Sequence, residues 1–296
     1  MTSSILYDLS IIVPEENILE KFNKQKDFLI CIDSDGCAID TMDIKHIKCF
    51  GPCMVEEWKL EDWRKPILDS WNQVNLYTLT RGINRFKGLA VALTEINDKY
   101  IKIEGLDEFL NWTEETLELS NESLEKEIEK TTNNICIRKA LEWSIAVNKS
   151  IDLLSEEEKC PFEGVKEAIM EAKKIADIAI VSSANEKAVL DEWSHNGLLE
   201  NVDIVLTQNI GSKTYCISKL IEKGYNRRNV LMVGDALGDL KAAESNEVLY
   251  YPIMVKKEKE SWNRFTREAL KKFVDNSYIG EYQEKIINEF KSNLSK

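Results

Sequence analysis

Apolar residues along this chain fall into two rhythms. From Pro161 onward, short continuous apolar runs alternate with helical-period stretches. Ile178 to Val181, Val202 to Leu206, Val230 to Val233 and Val248 to Ile253 read as buried strands. Between them lie helices over Glu163 to Lys174, Asn185 to His195, Thr214 to Lys223 and Leu237 to Ser245. In the third helix Ile217, Leu220 and Ile221 share one face, and Gly224 ends it. Strands alternating with helices predict a parallel sheet covered on both faces. A further run, Phe28 to Ile32, is continuously apolar rather than alternating, and belongs to the same sheet.

From about Thr41 to Lys159 that alternation stops. Glu104 to Leu154 is acidic and helix-like, with Leu106, Phe109, Leu110, Leu117, Leu124 and Ile128 as its apolar positions. Trp58, Trp63, Trp71, Trp112 and Trp143 all fall in the segment and can supply a core of its own. It reads as a mostly helical domain, residues 41–159, inserted into an α/β core made of 1–40 and 160–296, since insertion at a loop tip is physically easy. The tail from Lys256 to Lys296 reads as polar, mostly helical and without chemistry.

Composition narrows the function. The chain has 296 residues, 43% hydrophobic, enough for a substantial core. A net charge of −13 argues against nucleic acid or an anionic membrane as partner, and means that a phosphorylated substrate needs local cations. Seven cysteines without disulfide-like spacing suit reduced thiols in a cytoplasmic protein. Cys49 and Cys53 have no second pair at zinc-site spacing. Met1 to Ser10 lacks the basic and apolar segments of a secretory leader, and no apolar run approaches a membrane span.

The chemistry sits at strand ends. Phe28 to Ile32 runs into Asp33-Ser34-Asp35-Gly36. Two carboxylates so close raise each other's pKa unless a cation intervenes. In open α/β sheets the carboxyl ends of strands are where ligands bind. Ser182-Ser183 follows the second strand, Lys213 precedes a helix, and Gly234-Asp235-Ala236-Leu237-Gly238-Asp239 follows Val230 to Val233.

In this order the four motifs resemble those of the haloacid dehalogenase-like superfamily, with Cys37 standing where Thr is usual. Cys160 to Val165 resembles the segment that re-enters the core after an inserted cap. The resemblance implies a doubly wound parallel α/β core and a Mg²⁺-dependent phosphatase of a small phosphorylated metabolite. Asp33 would be the nucleophile and Asp35 the acid and base, and the latter needs a raised pKa while Asp33 stays ionised. Ser182 and Lys213 would bind the phosphoryl group, Lys213 also neutralising Asp33. Asp33, Asp235 and Asp239 would hold Mg²⁺, with Asp35 adding its backbone carbonyl. Ser183 competes with Ser182, although it is also placed to cap the following helix, and Lys219 competes with Lys213.

In the cap, Arg81, Arg85 and Lys87 form a basic island that offers contacts to an anionic substrate, or is simply a solvated loop. His46 faces either the cleft or a packed interior. A phosphomutase acting on a sugar phosphate, or a non-catalytic phosphometabolite-binding protein, would use the same core.

Overall fold

The computed structural model describes residues 16–294, so the segment read for a leader, Met1 to Ser10, lies outside the described residues. Five strands, β1 (Phe28–Ile32), β2 (Ala176–Val181), β3 (Ile204–Leu206), β4 (Val230–Gly234) and β5 (Leu249–Pro252), form one sheet in the order β3-β2-β1-β4-β5. Every pairing is parallel. The fold is the doubly wound α/β core expected. Its connections run outward in both directions from β1, which makes the edge beyond β1 the crevice where such sheets bind ligands. Ile32 pairs with Ile180 on one side and Val233 on the other. The residues just past these three strands, Asp33, Ser182 and Asp235, therefore emerge along one edge.

Helices cover both faces because the strands are apolar on both. Ile30, Ile32 and Val233 pack with Ile169, Trp193, Trp262 and Phe273 on one side. Leu29, Cys31 and Met232 pack with Ile217, Leu220, Tyr250 and Phe290 on the other. The tail is more than a polar appendage. Its Trp262, Phe265, Phe273 and Phe290 are buried in these two layers, and Trp262 Nε1 donates to the Cys37 carbonyl at 3.0 Å. The tail thus closes the core beside the first motif.

Local chemistry moves several boundaries. Asp203 lies outside β3 because its carboxylate accepts from Ile178 N at 2.7 Å and pairs with Lys173, capping the strand pair instead of joining it. The helix after β2 is capped by Asn185, whose side chain accepts from Lys187 N at 3.0 Å. Ser183, the residue read as the cap, is exposed. The helix Lys213–Ile221 starts one residue early, because Ser212 is its N-cap and accepts from Tyr215 N at 3.2 Å.

Between Asp40 and Cys160 the chain is helical, from Met42–Lys45 through Ile135–Asp152. Phe50, Trp58, Trp71, Phe86, Phe109, Trp112 and Trp143 form a buried cluster separate from the two sheet layers, with Trp63 packed against it. Trp143 is fully buried, lies edge-on to Trp71 at 6.1 Å and donates Nε1 to the Phe50 carbonyl at 3.0 Å. A buried aromatic pair of this kind adds about 1 kcal/mol beyond its area burial. The two crossings into and out of this region lie side by side. Asp40 N donates to the Cys160 carbonyl at 2.8 Å, and Phe162 N to the Ala38 carbonyl at 3.1 Å. Among the described residues no helix is long and apolar enough to cross a membrane.

Candidate active site

The turn after β1 is made by its own backbone. Asp33 N donates to the Val233 carbonyl at 3.0 Å, which extends the ladder by one residue. Ala38 N and Ile39 N both close on the Ser34 carbonyl, at 3.0 and 2.9 Å, and Gly36 takes the left-handed conformation at φ +78° that this loop needs. Trp193 Nε1 locks Ser34 by donating to its Oγ at 2.9 Å. Asp33 is thereby fixed, 6% exposed, at the centre of the sheet edge.

Three of the predicted carboxylates meet there. Asp33, Asp235 and Asp239 each offer an oxygen within 4.8 Å of the others, and all three are buried. The loop after β4 is shaped for this. A Cβ at Gly234 would stand 2.3 Å from Asp239 Cγ, so only glycine fits. Asp239 Oδ2 in turn accepts from Ala236 N at 3.1 Å. Lys213 spans the group: its Nζ is 2.8 Å from Asp33 Oδ1 and also donates to Asp239 Oδ1. Lys219, its rival, points away and pairs with Glu222 at 2.9 Å. Ser182 is buried at the end of β2, where its Oγ accepts from Ala184 N at 3.1 Å.

The carboxylate set fits a divalent ion. All donors are oxygens, and Asp235 Oδ1 is buried without a hydrogen-bond partner. A hard cation such as Mg²⁺ satisfies such a set. The Asp35 side chain stands apart from it. Its Oδ1 accepts from Thr41 Oγ1 at 2.6 Å and Lys45 Nζ at 2.8 Å.

The protein's own charges set the two motif carboxyls in the reverse of the expected order. Burial pushes Asp33 well above the usual carboxylate range; Lys213 opposes this while Asp239 and Asp235 add to it. Burial also acts to raise Asp35, but the charge and hydrogen bond of Lys45 and the hydroxyl of Thr41 outweigh it and bring the group below its ordinary value. A divalent cation among the three carboxylates would act the other way at Asp33, favouring its ionised form. At Asp35 the expected raised pKa is corrected by a neighbour that the motif does not contain.

That neighbour is Lys45. It is 6% exposed and bridges Asp35 to Glu192, whose Oε1 lies 3.2 Å away. Burial, with the Asp35 charge adding and Lys45 opposing, raises Glu192 to about 7. Neither residue was singled out in the sequence, where the helical spacing around each is only a weak signal. Thr41, Lys45 and Cys49 share a buried helical stripe, as do Val189, Glu192 and Trp193. A charge on a buried stripe is rare without a partner.

The basic island divides. Arg81 is buried and donates from Nε to Asp235 Oδ2 at 2.6 Å, so it meets the carboxylate cluster instead of standing free for substrate. Arg85 lies over the Phe50 ring at 5.1 Å and donates to Asn148 Oδ1 at 2.7 Å and Ser144 Oγ at 3.2 Å. Burial lowers it to about 10, and the nearby Asp35 acts in the other direction. Lys87 is exposed and joins neither group. His46 is packed rather than open. It stacks on Phe50 at 4.6 Å and accepts at Nδ1 from Trp71 Nε1 at 3.2 Å. Burial, helped by the charge of Arg81, drops its pKa to about 3.

The fold agrees with the comparisons to known proteins. The model of the haloacid dehalogenase-like hydrolase family matches residues 104–251, half of the chain, including Ser182, Lys213, Asp235 and Asp239. The chain belongs to this family. Among solved structures it resembles β-phosphoglucomutase from Clostridium difficile, with TM-score 0.52 and 16% identity over 86% of this chain and 100% of that one. A haloacid dehalogenase-like family hydrolase from Streptococcus pneumoniae aligns with TM-score 0.45 and 10% identity over 81% of this chain and 91% of that one. At these identities the likeness is one of fold. A search of the curated proteins finds no match.

Proposed function

We propose that this hydrolase is a Mg²⁺-dependent phosphatase of a small phosphorylated metabolite, with Asp33 as its nucleophile. The observation that carries the reading is the convergence of Asp33, Asp235, Asp239 and Lys213 at one sheet edge, with Asp35 two residues from the nucleophile. Asp33, Asp235 and Asp239 would hold the ion, which when bound would supply charge neutralisation to a phosphoryl group and favour the ionised form of Asp33.

An Asp33 oxygen attacks phosphorus, the bond to the leaving oxygen breaks, and that oxygen takes a proton from Asp35, which must carry it into this step against the pull of Lys45 and Thr41. Water then attacks the same phosphorus, gives its proton to Asp35 and releases phosphate with Asp33 regenerated. Lys45 and Thr41, both on Asp35 Oδ1, stabilise the ionised form that this second step uses. Lys213 compensates charge on Asp33 and on the phosphoryl oxygens. Ser182, whose Oγ already accepts from Ala184 N, keeps its O–H to donate.

The helical region covers the edge, excludes water during the first step and selects the leaving group. Arg85 is half-buried among neutral partners without a carboxylate of its own, and it is our choice for contact with an anionic part of the substrate.

The test is a screen of phosphomonoesters, among them sugar phosphates, nucleotides and phosphoglycolate, with Mg²⁺ and with EDTA. Release of inorganic phosphate that needs Mg²⁺ is expected. Transfer of phosphate to a second sugar hydroxyl in place of release would make the protein a phosphomutase. Binding without turnover across the panel would make it a sensor.

A further inference from the structure

Arg81 stands on the loop joining the helices Arg64–Leu76 and Arg85–Lys99. It is 2% exposed. Besides the 2.6 Å bond to Asp235, its Nη1 donates to the Leu76 carbonyl at 2.9 Å and lies 3.6 Å from Asp43 Oδ1. The loop is pressed against the sheet edge. A Cβ at Gly82 would stand 2.7 Å from Ala236 Cβ, and one at Gly36 would stand 2.5 Å from Arg81 Nη2 and 2.6 Å from Asp235 Oδ2. A guanidinium seated this closely is committed to the carboxylate that completes the Asp33, Asp235 and Asp239 group.

The balance of charge gives this seat a consequence for ion binding. Lys213 and a divalent cation together already match three ionised carboxylates. Asp43 is already paired with Lys256, so with Arg81 also seated on Asp235 the buried cluster carries a surplus positive charge, and like charges repel strongly at low local dielectric. We infer that Arg81 is a counter-charge of Asp235, brought by the helical region, that opposes the divalent ion. Docking of the loop and binding of the ion share one carboxylate, and each weakens the other. Linkage makes the effect reciprocal. A dianionic phosphoryl group would more than offset that single surplus charge. The inference rests on Asp235 being a metal ligand, as the proposed function has it.

The experiment is a titration of the full chain with Mn²⁺ alone, followed by calorimetry, for the wild type, Arg81→Gln, Arg81→Lys and Asp235→Asn. Arg81→Gln keeps a hydrogen-bond donor without the charge, and binds Mn²⁺ about tenfold tighter, within the span usual for coupled sites. Arg81→Lys stays near the wild type. Asp235→Asn loses most of the affinity. Wild-type binding that Asp235→Asn abolishes but Arg81→Gln leaves equal or weakens would overturn this inference and keep the ion site. A wild type without Mn²⁺ affinity would overturn both.

A second measurement needs no variant. The amides of Arg81 and Ile83 bond to the Thr78 carbonyl at 2.9 Å and the Thr80 carbonyl at 3.2 Å. Their hydrogen exchange quickens when Mg²⁺ is added to the wild type. Exchange that stays constant or slows contradicts the inference.

Discussion

The sheet edge and the helical region both bury polar side chains, but on opposite terms. At the edge, Asp33, Asp235 and Asp239 sit together with Lys213 and Arg81, and burial works against their charges. In the helical cluster the buried polar atoms are mostly neutral and paired singly, as Trp143 Nε1 is to the Phe50 carbonyl and Trp71 Nε1 to His46 Nδ1. The edge tolerates unfavourable electrostatics because chemistry needs concentrated charge. The helical region is ordinary packing, and reaches the carboxylates of the site through Lys45 and Arg81. Substitutions at the edge should therefore act on turnover, and those in the aromatic cluster on stability.

The largest effect belongs to Asp33→Asn. It removes the nucleophile with little change of shape, and phosphate release should fall by at least about 10⁴-fold with the circular dichroism spectrum unchanged. Retained turnover would take the role from Asp33. Lys213→Met comes next, with a loss of about 10²- to 10³-fold in kcat on the substrate found by screening. A change confined to KM would mean that Lys213 binds substrate without acting in the transition state.

Trp143→Ala tests the other half of the comparison. Emptying so large a buried site should lower unfolding stability by about 3 to 5 kcal/mol, read by urea titration. A loss under about 1 kcal/mol would deny the helical region a tightly packed core.

The smallest effect is a pH slope. His46 ionises near its ordinary value when unfolded but is held at about 3 when folded, first by burial and then by Arg81. The unfolded chain thus binds the extra proton between those values. His46's contribution to stability is complete above the unfolded pKa and is lost as pH falls toward the folded one, at about 1 kcal/mol per unit. Urea unfolding at about pH 7 and about pH 5 should show a decline that His46→Phe flattens. An unchanged slope in the variant would place the acid sensitivity elsewhere.

The same contrast explains how far the site was legible. Asp33, Ser182, Lys213, Asp235 and Asp239 were readable because each directly follows a strand or opens a helix, and strand ends of a parallel sheet converge by topology. The strands themselves were readable from unbroken apolar runs. Lys45, Glu192 and the seat of Arg81 were not, because each depends on how a helix or loop packs across a long sequence separation. Their local signals, a charge at helical spacing from apolar or small residues and a glycine beside an arginine, also occur on solvated surfaces. Lys87 and His46 show the converse. For each the sequence left a cleft contact and a plainer alternative open, and packing sent Lys87 to solvent and His46 among aromatics.

The proposed reaction turns on a covalent bond between phosphorus and Asp33. Once a turned-over phosphomonoester is known, the wild type with Mg²⁺ is acid-quenched during turnover, reduced with borohydride and digested for mass spectrometry. Borohydride reduces an acyl phosphate to the alcohol, so the account predicts homoserine at position 33 in the quenched sample and its absence without substrate. Steady phosphate release with an unmodified aspartate at position 33, or with the reduced residue at Asp35, Asp235 or Asp239, would contradict it.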